Sequence, residues 1–561
     1  MKFRPALGNS DFRKVREGGL GYIDKTDFIS HVLAEASEVL LFPRPRRFGK
    51  TLNLSMLGYF LRKTDKDLSH LFEGLSVTRD AQAMSHFQKY PTIFVTFKEV
   101  KATTFDGVMT GIREQIVAAY QEHRHLLDSG KLDSLMARRF RSVLEGTVTA
   151  GELQYSFKWL SKLLHEQYET PVVILIDEYD TPIQSGYMFE FFDDIVLWFR
   201  NFFSAAFKDN VSLFKGVLTG ILRVSKENMF SGLNNIRVHS ILSSRFATSF
   251  GFTEEEVASI IEPSHLEDVR AWYNGYLFGG KVIYNPWSIL CYIDEGTLRP
   301  YWVNTGSSEL IEHLAASKGL ALSDKSYSLL RGETIEVRID DNIVLRDIER
   351  RTDALWNFLL FSGYLKLETL VLHEGRYTGM LCIPNQEIRQ VYEDMFRHWV
   401  ERADPDWAVT TDLVKALFAG DAAKVQKLLG QILVTAMSYQ DPSGRAPEKL
   451  YHGFVLGLLV HLEPQYDVRS NRESGYGRAD VLMRPKTPGR PGVVMEFKVP
   501  FDDETIEQAL LEAAQQIRER QYAVEVASAG ASPVYEYAMA FDGKRAWVKR
   551  VDEMETLKAS A

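Results

Sequence analysis

From Met1 to about residue 250, short apolar or β-branched runs alternate with longer amphipathic stretches. The runs are Val39–Phe42, Thr92–Phe97, Val172–Ile176 and Leu213–Leu218. Continuous apolar runs of this length predict strands buried on both faces. With helices between them, the pattern is that of a parallel sheet covered on both sides. From about 251 to 315 the chain reads as helical with aromatic-rich loops, as in WYNGY and YNPWS. Around Leu355–Trp399 a helix (ALWNFLLFSGY) leads to two β-like runs, LKLETLVL and TGMLCIP, which meet at His373–Arg376 before another helix. Helix plus hairpin resembles a winged-helix module, and a plain linker domain would give the same pattern. From about 415 onward helices come first, then strands, a helix and a final strand near Tyr537–Phe541, which predicts a separate α/β domain. The expected partition is therefore 1–250, 251–320, 321–414 and 415–561.

A chain of 561 residues is too long for one hydrophobic core, in keeping with several domains. Hydrophobic residues at 45% and charged residues at 25% are ordinary for a soluble globular protein. The net charge of -9 argues against a general positive coat for nucleic acid, but leaves room for a local basic groove. Cys291 and Cys382 are the two cysteines and show no metal spacing, so neither a disulfide framework nor a structural zinc site is expected. MKFRPALGNSDF has no apolar stretch suited to a signal peptide, and the longest apolar runs are too short to span a bilayer. The expectation is a soluble, cytoplasmic protein with no membrane partner.

The strongest local pattern is EVLLFPRPRRFGKTLNLSMLGYF. An apolar strand runs into a turn, then Gly49-Lys50-Thr51, then a helix with Leu54, Leu57 and Leu61 recurring on it. Backbone N–H groups at a helix start face anions and the helix dipole favours negative charge, as a phosphate-binding loop requires. Lys50 is placed to reach the β- and γ-phosphates and Thr51 to hold Mg²⁺. Arg46 and Arg47 join the candidate nucleotide contacts. The usual spacing starts with a glycine, whereas here Arg44 stands at that position, so a modified loop entry is expected and hydrolysis, as opposed to binding, stays open. A helix start that merely carries Gly-Lys-Thr is the plainer reading of the loop alone. The second acidic motif decides between them: PVVILIDEYD is a buried strand ending in Asp177 and Glu178. Asp177 suits Mg²⁺ held through water, and Glu178 suits polarisation of the attacking water. Further on, VSLFKGVLTGILRV ends a strand in Thr219, with Arg223 just beyond. They suit a γ-phosphate sensor and a transition-state charge, or equally a strand cap and a surface arginine.

A second constellation is GYGRADVLMRPKTPGRPGVVMEFKVP. Asp480 starts one apolar run and Glu496-Phe497-Lys498 ends the next. Strand alternation puts Glu496 and Lys498 on one face and Phe497 on the other. Two carboxylates can bind Mg²⁺, or Mn²⁺ in its place, while the lysine orients water or steadies the phosphate. Glu448, on the helix PEKLYHGFVLGLL, would add a third carboxylate, and Gln516 lies on the following helix. Glu99-Val100-Lys101 repeats the ExK spacing without a preceding aspartate hairpin and is set aside. An edge hairpin with solvated ions is the plainer alternative. Arg484, Lys486 and Arg490 would touch a phosphate backbone or simply form a charged loop.

These motifs, with YIDKTDFI, YWVNTG, IPNQE and QIRERQYA, resemble a bacterial family that joins an AAA-ATPase-like domain to a C-terminal PD-(D/E)XK nuclease-superfamily domain. The resemblance runs over nearly the whole chain. It implies Lys50 and Thr51 as nucleotide contacts, Asp177 and Glu178 as the second acidic motif, and Glu448, Asp480, Glu496 and Lys498 as the nuclease core. ATP rather than GTP is also implied by the family alone. The expected architecture is a multidomain α/β chain. It comprises a P-loop NTPase parallel sheet with a helical extension, a middle winged-helix-like region and a C-terminal restriction-endonuclease-like α/β domain. The expected function is an ATP-binding, ATP-hydrolysing protein coupled to a metal-dependent nuclease acting on nucleic acid, DNA foremost, in defence or mobile-element biology. The alternatives are a nucleotide-gated binding or signalling protein that does not cleave, and an ATPase whose C-terminal fold serves oligomerisation. No coiled-coil heptads announce an oligomer.

Overall fold

The computed structural model describes residues 3–222, 235–302, 325, 328–329, 332–341, 348, 351–403, 408–436, 448–459, 462, 465–469, 473–474, 477–500 and 504–554. Two compact units divide the chain: Met1–Leu310 with Thr334–Arg389, and Ile311–Glu333 with Gln390–Ala561. The protein is mixed α/β throughout. Among the described residues no helix is long and apolar enough to cross a membrane.

The first unit is built on a five-stranded sheet of β1 (Val39–Pro43), β2 (Thr92–Thr96), β3 (Val172–Asp177), β4 (Leu213–Gly220) and β5 (Ile236–Val238). Every neighbouring pair is parallel, in the order β2-β3-β4-β1-β5. All residues of β1 and β3 are buried, which is why these strands read as unbroken apolar runs rather than alternating ones. Phe42 pairs with Thr219 and Ile176 with Leu218, so β1, β4 and β3 end level with one another. Gly216 on β4 leaves room for the Phe207 ring, which would lie 2.6 Å from any Cβ at that position.

Where the pattern after residue 250 suggests helices and aromatic loops, the structure adds a small antiparallel sheet. Its strands are β6 (Phe252–Thr253), β7 (Tyr276–Phe278) and β8 (Lys281–Tyr284), in the order β6-β8-β7. Strands of two to four residues carry too little alternation to be legible. The WYNGY glycine, Gly275, has φ 111°, and a Cβ there would lie 2.2 Å from the Pro384 carbonyl oxygen. Asn385 also donates to the Asn274 carbonyl, so WYNGY and IPNQE meet across more than a hundred residues.

The middle region, where a helix and hairpin were expected, carries β9 (Ile335–Ile339), the helix Thr352–Ser362, β10 (Lys366–His373) and β11 (Arg376–Cys382), with strand order β10-β11-β9. The hairpin turns at Glu374 and Gly375, both with positive φ, as a tight two-residue turn demands. Next comes Glu387, buried in the first turn of the helix Gln386–Ala403. Its carboxylate accepts hydrogen bonds from Ser288 Oγ (2.8 Å) and the Trp302 amide (2.7 Å). Burial pushes its pKa up to about 7 against these bonds.

The second unit carries β12 (Tyr466–Arg469), the short hairpin β13 (Glu473–Ser474) and β14 (Gly477–Arg478), then β15 (Val481–Pro485), β16 (Gly492–Lys498), β17 (Val534–Asp542) and β18 (Arg545–Arg550). The five-stranded sheet has the order β12-β15-β16-β17-β18; β16 and β17 run parallel and the other pairs antiparallel. One face buries Val481, Met483, Met495 and Phe497 against the helices Ala408–Ala419, Ala422–Ala436 and Glu448–Leu459. The other buries Leu482, Val494, Ala538 and Ala540 under the helix Ile506–Arg520.

Glu387 sets a pH dependence. An acid whose pKa rises on folding holds a native-state proton that the unfolded chain releases, so stability falls as pH rises between the two values and levels off above them. Thermal unfolding of the wild type should therefore lose a few kcal/mol relative to Glu387→Gln between pH 4.5 and about 7. Parallel curves for the two proteins would show that Glu387 is not protonated on folding.

Candidate functional sites

The loop between β1 and the helix Lys50–Leu61 turns through two left-handed residues, Arg47 (φ 66°) and Gly49 (φ 81°). Glycine takes that conformation freely and arginine does not, so Arg47 is held by something else. Its guanidinium lies 4.2 Å from the centre of the Trp287 ring. Arg44 does not enter the loop's cradle. Fully buried, its guanidinium donates to the Pro43, His239 and Phe246 carbonyls and lies over the Phe250 and Phe278 rings. Burial lowers its pKa to about 9. The missing first glycine is thus replaced by an arginine anchored in the core.

The Arg46 carbonyl accepts from Trp302 Nε1 (3.2 Å) and Asn285 Nδ2 (3.4 Å), and Pro45 lies against Gly363 at the end of the helix Thr352–Ser362. Trp302 and Asn285 come from the YWVNTG and YNPWS stretches, so the aromatic motifs brace the phosphate loop.

At the loop's end Lys50 is buried, its Nζ donating to the Arg44 (3.1 Å) and Pro45 (2.9 Å) carbonyls. Burial lowers its pKa, opposed by the charges of Glu178, Asp177 and Asp180. Across the strand ends, the Thr51 hydroxyl donates to Asp177 Oδ2 (2.7 Å) and the Thr219 hydroxyl to Oδ1 (2.5 Å). Asp177 is fully buried, and burial followed by the charge of Glu178 raises its pKa. An ammonium, two hydroxyls and a carboxylate at a helix start form a donor set that fits a nucleotide phosphate with Mg²⁺. Glu178, with φ 50° and half-buried, faces the same cavity. Arg223 lies outside the described residues.

The cavity measures about 390 Å³. The loop residues Arg46 to Asn53 form one wall. Other walls come from segments far from the loop in sequence: Tyr22 and Ile23, Lys98 and Lys101, and Pro286 and Trp287. Glu99-Val100-Lys101 follows β2, whose C-terminal end points the same way as that of β1 in the parallel sheet, so this ExK borders the nucleotide cleft. Asp180, next to the acidic motif, has a structural role. Its carboxylate accepts the Ile221 and Leu222 amides at 3.0 Å each, fixing the turn after β4.

In the second unit, Asp480 immediately precedes β15. Val481 pairs with Met495, which sets Asp480 beside Glu496. The Asp480 amide donates to Glu496 Oε2 (3.4 Å), and the Phe497 amide to Asp480 Oδ2 (2.7 Å). Lys498 Nζ donates to Gln516 Oε1 (3.0 Å) and lies 3.5 Å from Glu512 Oε1. Phe497 belongs to the opposite core, so the alternation expected from the sequence holds. Burial raises the pKa of Asp480, against the Phe497 amide and the charge of Lys498. Two carboxylates side by side away from water repel one another unless a proton or a cation lies between them, and oxygen donors with a neighbouring lysine fit a divalent metal. Among the described residues no group of three acids, histidines or cysteines forms a metal cluster. Glu448 begins the helix Glu448–Leu459, and its side chain lies outside the described residues. Arg484 is engaged by Asp467 and Glu525 rather than left for a ligand, and Arg490 donates to Gln465.

Residues 6–230 match the family model described as "Predicted AAA-ATPase", and residues 446–551 match the "PD-(D/E)XK nuclease superfamily". The chain joins an AAA-ATPase-like domain to a PD-(D/E)XK nuclease-superfamily domain. A curated relative, the "Uncharacterized protein in vnfD 5'region" of Azotobacter chroococcum mcd 1, is 29% identical over 486 residues, covering 85% of this chain and 86% of that one. Among solved structures, the Walker-type ATPase PABY2304 of Pyrococcus abyssi is similar at 13% identity and a TM-score of 0.36, over 70% of this chain and 97% of that one.

In the AAA-ATPase-like domain, Asp177→Asn keeps the shape of the side chain and removes the charge. It should weaken Mg²⁺-dependent nucleotide binding by about tenfold or more, with little change in EDTA, as read by titration of a fluorescent ATP analogue. Equal affinities with Mg²⁺ would remove Asp177 from the metal site.

Proposed function

We propose that the protein is an ATP-dependent, metal-dependent nuclease acting on DNA, in which nucleotide state in the first unit regulates phosphodiester cleavage in the second. The observation that carries the reading is the meeting of Asp480, Glu496 and Lys498 on one face of the C-terminal sheet. Asp480 and Glu496, with Glu448 from the neighbouring helix, would hold Mg²⁺ or Mn²⁺, which supplies a polarised water and offsets phosphate charge. Lys498 orients that water or steadies the phosphate. In the first unit Lys50, Thr51, Arg46 and Arg47 hold the triphosphate and Asp177 holds Mg²⁺. Glu178 polarises water, Thr219 senses the γ-phosphate and Arg223 contributes charge to the transition state. The partition at 250, 320 and 414 assigns the ATPase core, its extension, the winged-helix-like part and the nuclease. A cytoplasmic role in defence or mobile-element biology goes with this reading by analogy alone.

The test is cleavage of plasmid, linear and single-stranded DNA and of RNA, with Mg²⁺ or Mn²⁺, with and without ATP. Lys498→Ala should lower the rate by about a hundredfold or more while Lys50→Ala removes the response to ATP. No cleavage of any substrate, with ATP still bound, would replace this reading by a nucleotide-gated nucleic-acid-binding protein.

A further inference from the structure

A second feature of the nuclease-superfamily domain lies away from its carboxylates. Between the helix Ala422–Ala436 and the β17–β18 hairpin runs a groove of about 670 Å³, bordered by Lys427, Gly430, Lys544, Arg545 and Trp547. Lys427, Lys544 and Arg545 are exposed, and none of them forms an ion pair with a described residue. The helix contains no aspartate or glutamate, and the hairpin's one nearby acid, Asp542, stands opposite Arg545. In a chain of net charge -9, three exposed cations around one groove, none in an ion pair with a described residue, mark a place where negative charge is wanted.

Gly430 gives an independent sign that the groove is kept open. It lies inside the helix, where glycine costs roughly 0.5–1 kcal/mol relative to alanine. A Cβ there would meet nothing within 4 Å, so no packing requires the glycine. Gln426 on the same helix accepts the Val548 amide at 3.0 Å, which fixes this wall to β18.

The position matters as much as the charge. β16 and β17 are parallel and Lys498 pairs with Ala540, so the turn after Asp542 sits at the same end of the sheet as Glu496 and Lys498. β16 and β18 are two strand spacings apart, roughly 10 Å. The groove lies beyond β18 beside the helix Ala422–Ala436, which covers the sheet face opposite Glu496, so a bound strand passes round the β18 edge to reach the acids. We infer that this groove binds the phosphodiester backbone of nucleic acid whose scissile bond lies at the Asp480–Glu496 pair. The contacts are to backbone phosphate, with no base read. The groove is argued from its own charge and shape, and only its service to cleavage rests on the nuclease reading.

The test measures binding without cleavage. Fluorescence anisotropy follows full-length protein titrated, in EDTA, onto labelled 30-nucleotide single strands and 30-base-pair duplexes of DNA and RNA over a range of salt. Two variants are compared with the wild type: Lys427→Ala/Lys544→Ala/Arg545→Ala, and Gly430→Glu, which puts a carboxylate in the groove while favouring the helix. Both should weaken binding about tenfold or more, and the triple variant should flatten the log–log salt slope by about 2 to 3. Wild-type affinity and slope in both variants would overturn the inference even if the protein cleaves, and so would failure of the wild type to bind any of these nucleic acids. Groove-dependent binding by a protein that cuts nothing would uphold it and overturn the nuclease reading instead.

Discussion

A carboxylate taken wholly out of water must be compensated by donors or it will take up a proton, and Asp177 is such a group at the end of β3. Its compensation comes from Thr51 at the start of one helix and Thr219 on the neighbouring strand, with the Lys50 ammonium nearby. Those three positions can meet only if β1, β4 and β3 end level, which the all-parallel register ensures. The order β3-β4-β1 places one strand between the phosphate loop and the acidic motif, and that strand supplies Thr219. The surrounding structure then serves to keep the loop rigid. Arg44 anchors it from within the core, while Trp302, Asn285 and Gly363 hold its outer side.

The second unit solves a related problem with a different sheet. Antiparallel pairing of β15 with β16 sets two acids side by side, and the strand pleat separates them from Phe497. Small residues on β17, Ala538 and Ala540, let the helix Ile506–Arg520 lie close over that face and bring Gln516 to Lys498. Packing and site chemistry here follow from the same two-residue period.

Much of this was legible in the sequence because the signals were local. The four long strands of the first sheet, the Gly-Lys-Thr helix start, the acidic strand end and the Asp480–Glu496–Lys498 hairpin all show in short windows. Contributions made across long separations did not show. Tyr22, Lys98 and Trp287 reach the nucleotide cavity from three distant segments, and no window holds more than one of them. Nothing in the local sequence separates Glu387 from any acid in a helix's first turn, and only its burial against Ser288 and Trp302 gives it weight. The strands β6, β7 and β8 were too short to show a period, and β18 hid in the charged stretch Arg545–Arg550. The modified loop entry expected at Arg44 could not be specified further, because sequence spacing does not say which way a side chain points.

The cleft also separates two ideas of a module. Sequence comparison delimits the ATPase-like part at residue 230, yet Ser249, Phe252, Pro286 and Trp287 line the cavity, and Trp302 holds the Arg46 carbonyl. The span that the family model covers is therefore shorter than the span that encloses the cavity. A chain cut at that boundary would keep every residue of the phosphate-binding signature and lose a wall of the chamber. In this protein the chamber around the phosphate loop is completed by residues that follow the loop by some two hundred positions, so the signature and the enclosure are set by separate stretches of chain.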